Sequence, residues 1–187
     1  MLKRTVAATA LPVLFEDAKM HLRVSDAAED VLIQGILAAS CELIGEKSGR
    51  VMAPETWEYA TFQPKSDLKL PKNPVVSVTS ITYSDPANAT QSANLADFDV
   101  VSDPDCTVIS PKPGKTWPTC INRADAFKVT FVAGYASIPD ALRAAVLLMV
   151  GHFYENREAT VVGTSAVELP MAVDALVAIH KVGWAGA

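Results

Sequence analysis

Two incompatible hydrophobic periods run along this chain, and no single secondary structure accommodates both. From Phe15 to Lys47, and again from Pro139 to Glu155, apolar residues recur every three or four positions, the spacing that lines one face of an α-helix. Between Ala53 and Val132 they alternate in short runs broken by Pro, Asn, Asp and Gly, and most of the chain's 12 prolines fall there. Proline fixes φ and removes a backbone donor, so this stretch suits short strands and irregular turns rather than helices. A chain of 187 residues divided in this way is predicted to be α+β, large enough to bury a real core.

The first helix is expected over Phe15–Leu22, with Arg23-Val24 leaving it for a turn. A second follows Ser25-Asp26, where Asp26 as N-cap and Glu29 three residues later resemble a capping box. Ile33, Ile36, Leu37, Cys41 and Ile44 form its buried stripe, and it runs to about Lys47, with Gly49 as its stop. Strands are expected at Thr56–Phe62, Val75–Tyr83, Phe98–Val101, Thr107–Ile109 and Ala126–Val132, five in all, enough for one small sheet or an open barrel. Thr79-Ser80 breaks the alternation of its strand in the manner of a bulge. Helix returns at Pro139, and Leu142, Ala145, Val146, Met149, Val150 and Phe153 make a regular face. Ala144, Leu147 and Leu148 lie off that face, so this helix reads as long and apolar over most of its circumference, in need of cover on more than one side. A linker, Ala159–Leu169, leads to a short last helix from Pro170 to about Lys181. Its Val173, Leu176 and Val177, with Trp184 beyond Gly183, offer an apolar ridge to an external surface. The expected fold is therefore a helical core of two N-terminal helices, a long apolar helix and a short C-terminal helix, with a β-rich insert between helices 2 and 3. Residues 1–52 and 133–187 form the helical domain, and 53–132 the insert.

Several function classes are disfavoured by the residues themselves. The near-continuous apolar run Ala144–Val150 falls well short of the roughly 20 residues that span a bilayer. Met1-Leu-Lys-Arg and the apolar stretch after it imitate a signal peptide, but Pro12 interrupts the stretch and Glu16-Asp17 stands where small residues would be needed, so an extended leading strand is expected. Cys41, Cys106 and Cys120 are odd in number and show no C-x-x-C spacing, which favours reduced thiols over a disulfide framework or a zinc site. Net charge is -5, and Lys3-Arg4 is the only tight basic cluster, so the basic stripe of a phosphate-gripping protein is missing.

Motif chemistry is equally sparse. Pro113-Gly114-Lys115-Thr116 imitates the end of a P-loop, but Ile109 stands where the first glycine belongs. Asp97, Asp99, Asp103 and Asp105 lack the spacing of an EF-hand, with Val101 at a ligand position and no central Gly. His152 and Glu155 are half of a carboxylate di-metal pattern whose second half is missing. Ser165 lacks the glycines of a nucleophile elbow, Cys41 lies on a buried stripe, and His21 and His180 have no evident partner. No catalytic, metal-binding or cofactor-binding residue is nominated, and the chain is not expected to be an enzyme.

The order of elements carries more information than any single motif. Glu16-Asp-Ala18-Lys19-Met-His21-Leu22-Arg23, the acidic pair Glu29-Asp30 and Gly49-Arg50 occur first. Leu70-Pro71, the run Pro74 to Asp85, Trp117-Pro118 and Val129-Thr-Phe131-Val-Ala133-Gly134-Tyr135 follow, and then Ile138-Pro139-Asp-Ala141-Leu142 and Tyr154-Glu155-Asn156-Arg157-Glu158. In this order, over most of residues 12–158, the chain resembles the head-tail connector (adaptor) proteins of long-tailed phages and related gene-transfer particles.

The resemblance implies a structural subunit of a ring, usually twelve-fold, that sits below the portal and joins it to the tail or stopper. DNA would pass through the lumen without specific binding, with no membrane involved. The location implied is the head-tail interface of the virion, after assembly in the bacterial cytoplasm. On this reading Ala144, Leu147, Leu148, Val173, Leu176, Val177 and Trp184 are the expected subunit or portal contacts. Where relatives often end with paired leucines and an arginine, this chain has Leu176-Val177 and His180-Lys181. A DNA-packaging factor that handles nucleic acid directly is the alternative.

Overall fold

The structure, a computed structural model, describes residues 1–103, 105–156 and 171–182. In chain order its strands are β1 (Leu2–Val6), β2 (Glu55–Thr61), β3 (Leu68–Leu70), β4 (Val75–Ser84), β5 (Thr90–Ala93), β6 (Phe98–Ser102), β7 (Thr107–Pro111) and β8 (Phe127–Ala133). Its helices are α1 (Phe15–Leu22), α2 (Asp30–Ser48), α3 (Asp140–Glu155) and α4 (Met171–Ala178), with one 3-10 turn at Leu95–Asp97. These elements fall into two units: residues 1–9 with 53–136, and residues 10–52 with 137–187.

In the β unit, the strand with the strictest alternation takes the centre. Phe127, Val129, Phe131 and Ala133 of β8 are all buried on one face, and β2 and β4 flank β8 in an antiparallel sheet of order β1-β2-β8-β4-β5. Thr79 is the extra residue between Val78↔Phe131 and Ser80↔Thr130, the bulge predicted there, and its hydroxyl donates to the Thr130 carbonyl at 2.9 Å. A second antiparallel sheet has the order β3-β7-β6. Trp117 joins the two layers, stacking on Phe98 of β6 at 5.1 Å and meeting Phe127 of β8 edge-on at 5.3 Å. The chain's return to this unit after α2 and its departure after β8 lie side by side. Gly134 has φ +131, and a Cβ there would lie 2.1 Å from the Ala53 carbonyl oxygen, so only glycine fits.

In the helical unit, α2 and α3 pack against each other, α1 and α4 pack on both, and the core is Ala18, Ile33, Leu37, Cys41, Ile44, Leu142, Ala145, Val146, Met149, Val150, Val173 and Val177. Arg23 at φ 58 and Gly49 at φ 69 end α1 and α2 in the left-handed conformation that closes a helix C-terminus. The N-terminus of α2 departs from expectation. Asp26 accepts from Ala28 N–H at 2.9 Å in a tight turn, the helix starts at Asp30, and Glu29 bonds the Tyr154 hydroxyl instead of closing a capping box.

The predicted architecture needs correction. The fold is α+β, but it is not a helical core carrying a β insert between helices 2 and 3, and the described residues contain no long apolar helix. α3 has 16 residues, about 24 Å at 1.5 Å per residue, and α2 has 19. Eight strands form two sheets, where the expectation is an extended leading strand and five more in one small sheet or an open barrel, and β1, the leading strand, pairs with β2. The physical reason is length. β3 and β5, with three and four residues, are too short to show a period, and β1 is fully exposed, so no alternation in the sequence ties the leading strand to β2.

Candidate functional site

Several of the residues singled out for possible chemistry are engaged in structure. No group of three or more His, Cys, Asp or Glu among the described residues is arranged to hold a metal ion. Asp97 pairs with Lys115 at 2.9 Å and Asp99 faces Lys112 at 4.0 Å, so two of the four carboxylates are balanced by lysines. Cys41 is sealed in the helical core, and burial pushes its thiol up to about 11, far from the thiolate a nucleophile needs. The main-chain carbonyls of His152 and His180 take part in the fold, accepting from Asn156 and from Arg50 Nε at 2.7 Å. Ser165 lies outside the described residues.

Several charged and polar side chains clamp the helical unit. Asp17 on α1 pairs with Arg143 on α3 at 2.7 Å, and Lys19 on α1 reaches Asp30 at the start of α2 at 2.5 Å and the Asp26 carbonyl at 2.8 Å. Tyr154 at the end of α3 bonds Glu29. Lys47 of α2 pairs with Asp174 of α4 at 2.9 Å, and Val182 N–H reaches the Ser48 carbonyl at 2.9 Å. These contacts tie each helix to another at its ends.

What remains as a candidate site is surface. Leu148 is exposed on α3, and Ala144 and Leu147 are half-buried beside it on the same helix. On α4, Leu176 is half-buried, whereas Val173 and Val177 point into the unit's own core at 0% and 3% exposure. Trp184 lies outside the described residues. Further apolar side chains stand in the open: Val31 at 85% and Leu32 on α2, Met171 at 86% on α4, and Ile179 just beyond it. Val31 and Leu32 lie off the buried stripe of α2, and apolar residues outside that stripe are the sequence signal that marks them.

Charge divides sharply between the units. The β unit carries nine basic and nine acidic residues, whereas the helical unit carries seven basic and twelve acidic. The entire net charge of -5 therefore belongs to the helical unit. An acidic surface of this kind repels phosphate backbones and attracts basic protein.

No protein-family model matches the chain, and no curated protein matches it. Solved structures do. A chain of the structure described as "Virion of native gene transfer agent (GTA) particle" superposes with TM-score 0.80 at 22% identity, covering 100% of this chain and 98% of that one. A chain from "Neck of empty GTA particle computed with C6 symmetry" gives 0.78 at 23% identity, and one from "Neck of native GTA particle computed with C12 symmetry" gives 0.76 at 24%, each with the same 100% and 98% coverage. The chain thus shares its whole fold with chains of these particles, both units included.

Proposed function

We propose that this chain is a structural subunit of the neck of a phage-like particle, a connector that forms a ring between portal and tail or stopper and has no catalytic role. The observation that carries this reading is the end-to-end likeness to chains of GTA neck structures, 100% of this chain against 98% of theirs. The symmetries named for those necks support a ring, and we assign it twelve copies, the higher of the two. The clamp residues support a rigid subunit. Subunit and portal contacts are assigned to Ala144, Leu147, Leu148 and Leu176, together with the exposed Met171 and Ile179. Val173 and Val177 contribute by holding α4 in place.

The concentration of negative charge in the helical unit supports DNA passing through the lumen without adhering, with that unit lining it. It weighs against the alternative of a packaging factor that grips nucleic acid, which would need basic residues to replace phosphate counterions. The reading locates the chain in the virion, at the head-tail interface, after assembly in the bacterial cytoplasm. The deciding experiment is electron microscopy of the protein mixed with the portal protein of the same particle. A ring stacked coaxially on the portal is expected, and a monomer that leaves the portal bare would overturn the reading.

A further inference from the structure

The two sheets of the β unit end in strands that pair on one side only, and these edges are not equally protected. An open edge offers a row of backbone donors and acceptors to any extended chain, so natural edges are blunted by lysine, proline, bulges or short length. β1 carries Lys3, Arg4 and a register shift between Arg4 and Val6. β5 has four residues and covers only Ile81–Ser84, while the rest of β4 carries two register shifts. β3 has three residues with Lys69 at its centre. β6 has none of these devices. It keeps unbroken register with β7 from Phe98↔Pro111 to Ser102↔Thr107, contains no Lys, Arg or Pro, and exposes Val100 at 45% and Val101 at 58%, neighbours that alternate onto opposite faces.

We propose that the free edge of β6 takes the β1 edge of a second copy of this chain as an added antiparallel strand. Complementarity selects this occupant. β1 pairs only with β2 among the described strands, so its outer edge is free, and all five of its residues are exposed. It holds the chain's only tight basic cluster, while Asp99, Asp103 and Asp105 lie on or just beyond β6. Lys3 makes no ion pair among the described residues, whereas Arg4 already bonds Glu55 at 3.1 Å; Asp99, half exposed, meets Lys112 only at 4.0 Å, which leaves its outer oxygen open to a second cation. The antiparallel register that sets Lys3 opposite Asp99 also sets Leu2 opposite Val100 and Met1 opposite Val101. Charge then meets charge, and exposed apolar side chains meet each other on both faces of the joined strands. The partners are different edges, so the contact is heterologous: each copy donates β1 on one side and accepts on β6 at the other, and repetition makes a ring or a filament.

This inference deepens the ring reading and rests on it. The test is a charge-swap cycle read by mass photometry and electron microscopy of the full chain, alone and with the portal. Lys3→Glu and Asp99→Lys, both on exposed edges, are each expected to weaken subunit association about tenfold or more, and the double variant to restore it. In a second arm, Lys3→Cys with Asp99→Cys in a Cys106→Ser, Cys120→Ser background is expected to give a ladder of disulfide-linked oligomers, with neither single cysteine giving one. Dimers from Asp99→Cys alone would mean that β6 pairs with β6 and would overturn the proposal. A normal ring on the portal with no ladder and no charge-swap effect would overturn the strand addition and leave the ring reading intact. A chain that never assembles would sink both.

Discussion

At the scale of single residues, two positions carry consequences that can be measured directly. Gly134→Ala places a methyl group 2.1 Å from the Ala53 carbonyl oxygen at a φ of +131, so the backbone must move. The expected loss is roughly 2–4 kcal/mol in urea unfolding, from clash and left-handed strain together. Cys41 has its thiol raised from 9.0 to about 11 by burial. The folded chain therefore holds this proton at pH values where the unfolded chain releases it, and stability present below about pH 9 falls as pH rises toward about 11. Denaturation midpoints that fall over this window in the wild type and less steeply in Cys41→Ala are expected. A Cys41→Ala profile parallel to the wild type would assign the decline to other groups.

At the scale of elements, the short helices depend on their clamps and on each other. A helix of eight residues, as α1 and α4 both are, is marginal in water without tertiary support. Tyr154→Phe removes the hydroxyl that bonds Glu29 and should cost about 1–2 kcal/mol by thermal or chemical unfolding. Truncation before α4 uncovers the core and forfeits Val173 and Val177, each worth about 1.5–3 kcal/mol when fully buried. The shortened chain is expected to lose helical signal in circular dichroism, and one as stable as the parent would show α4 to be an appendage. Leu148→Glu, by contrast, should change subunit stability by less than about 0.5 kcal/mol because the side chain is exposed. It should instead reduce assembly, and an unchanged oligomer distribution would remove α3 from the contact surface.

At the scale of the whole molecule, the segregation of charge and the division of the chain both matter. The net charge of -5 lies wholly on the helical unit, so duplex DNA is expected to bind neither tightly nor with a steep salt dependence. Fluorescence anisotropy across a salt titration checks this, and sub-micromolar affinity that collapses with salt would favour the packaging alternative. Excising residues 53–132 alone would strand β1 without β2 and leave Leu2 and Val6 unsupported. Because Ala53 and Gly134 meet, a short linker in place of 53–136, with residues 1–9 also removed, is the cut that respects the sheet.

The chain's local patterns determined much of this protein. The periods that mark α1, α2, α3 and β8, the bulge at Thr79 and the left-handed stop at Gly49 are all written in neighbouring residues, because helix and strand periods repeat within a few positions. Long-range pairing decided the rest. That β1 joins β2 some fifty residues away, that three strands separate into a second sheet, and that Val173 and Val177 turn inward while Val31 and Met171 stay outside all depend on partners that no local window contains. Glu29 makes the difference concrete. Its spacing from Asp26 suggested a capping box, but Tyr154, 125 residues later in the chain, supplied a donor. A side chain's final partner is set by what the fold brings near it, and only the tertiary structure holds that information.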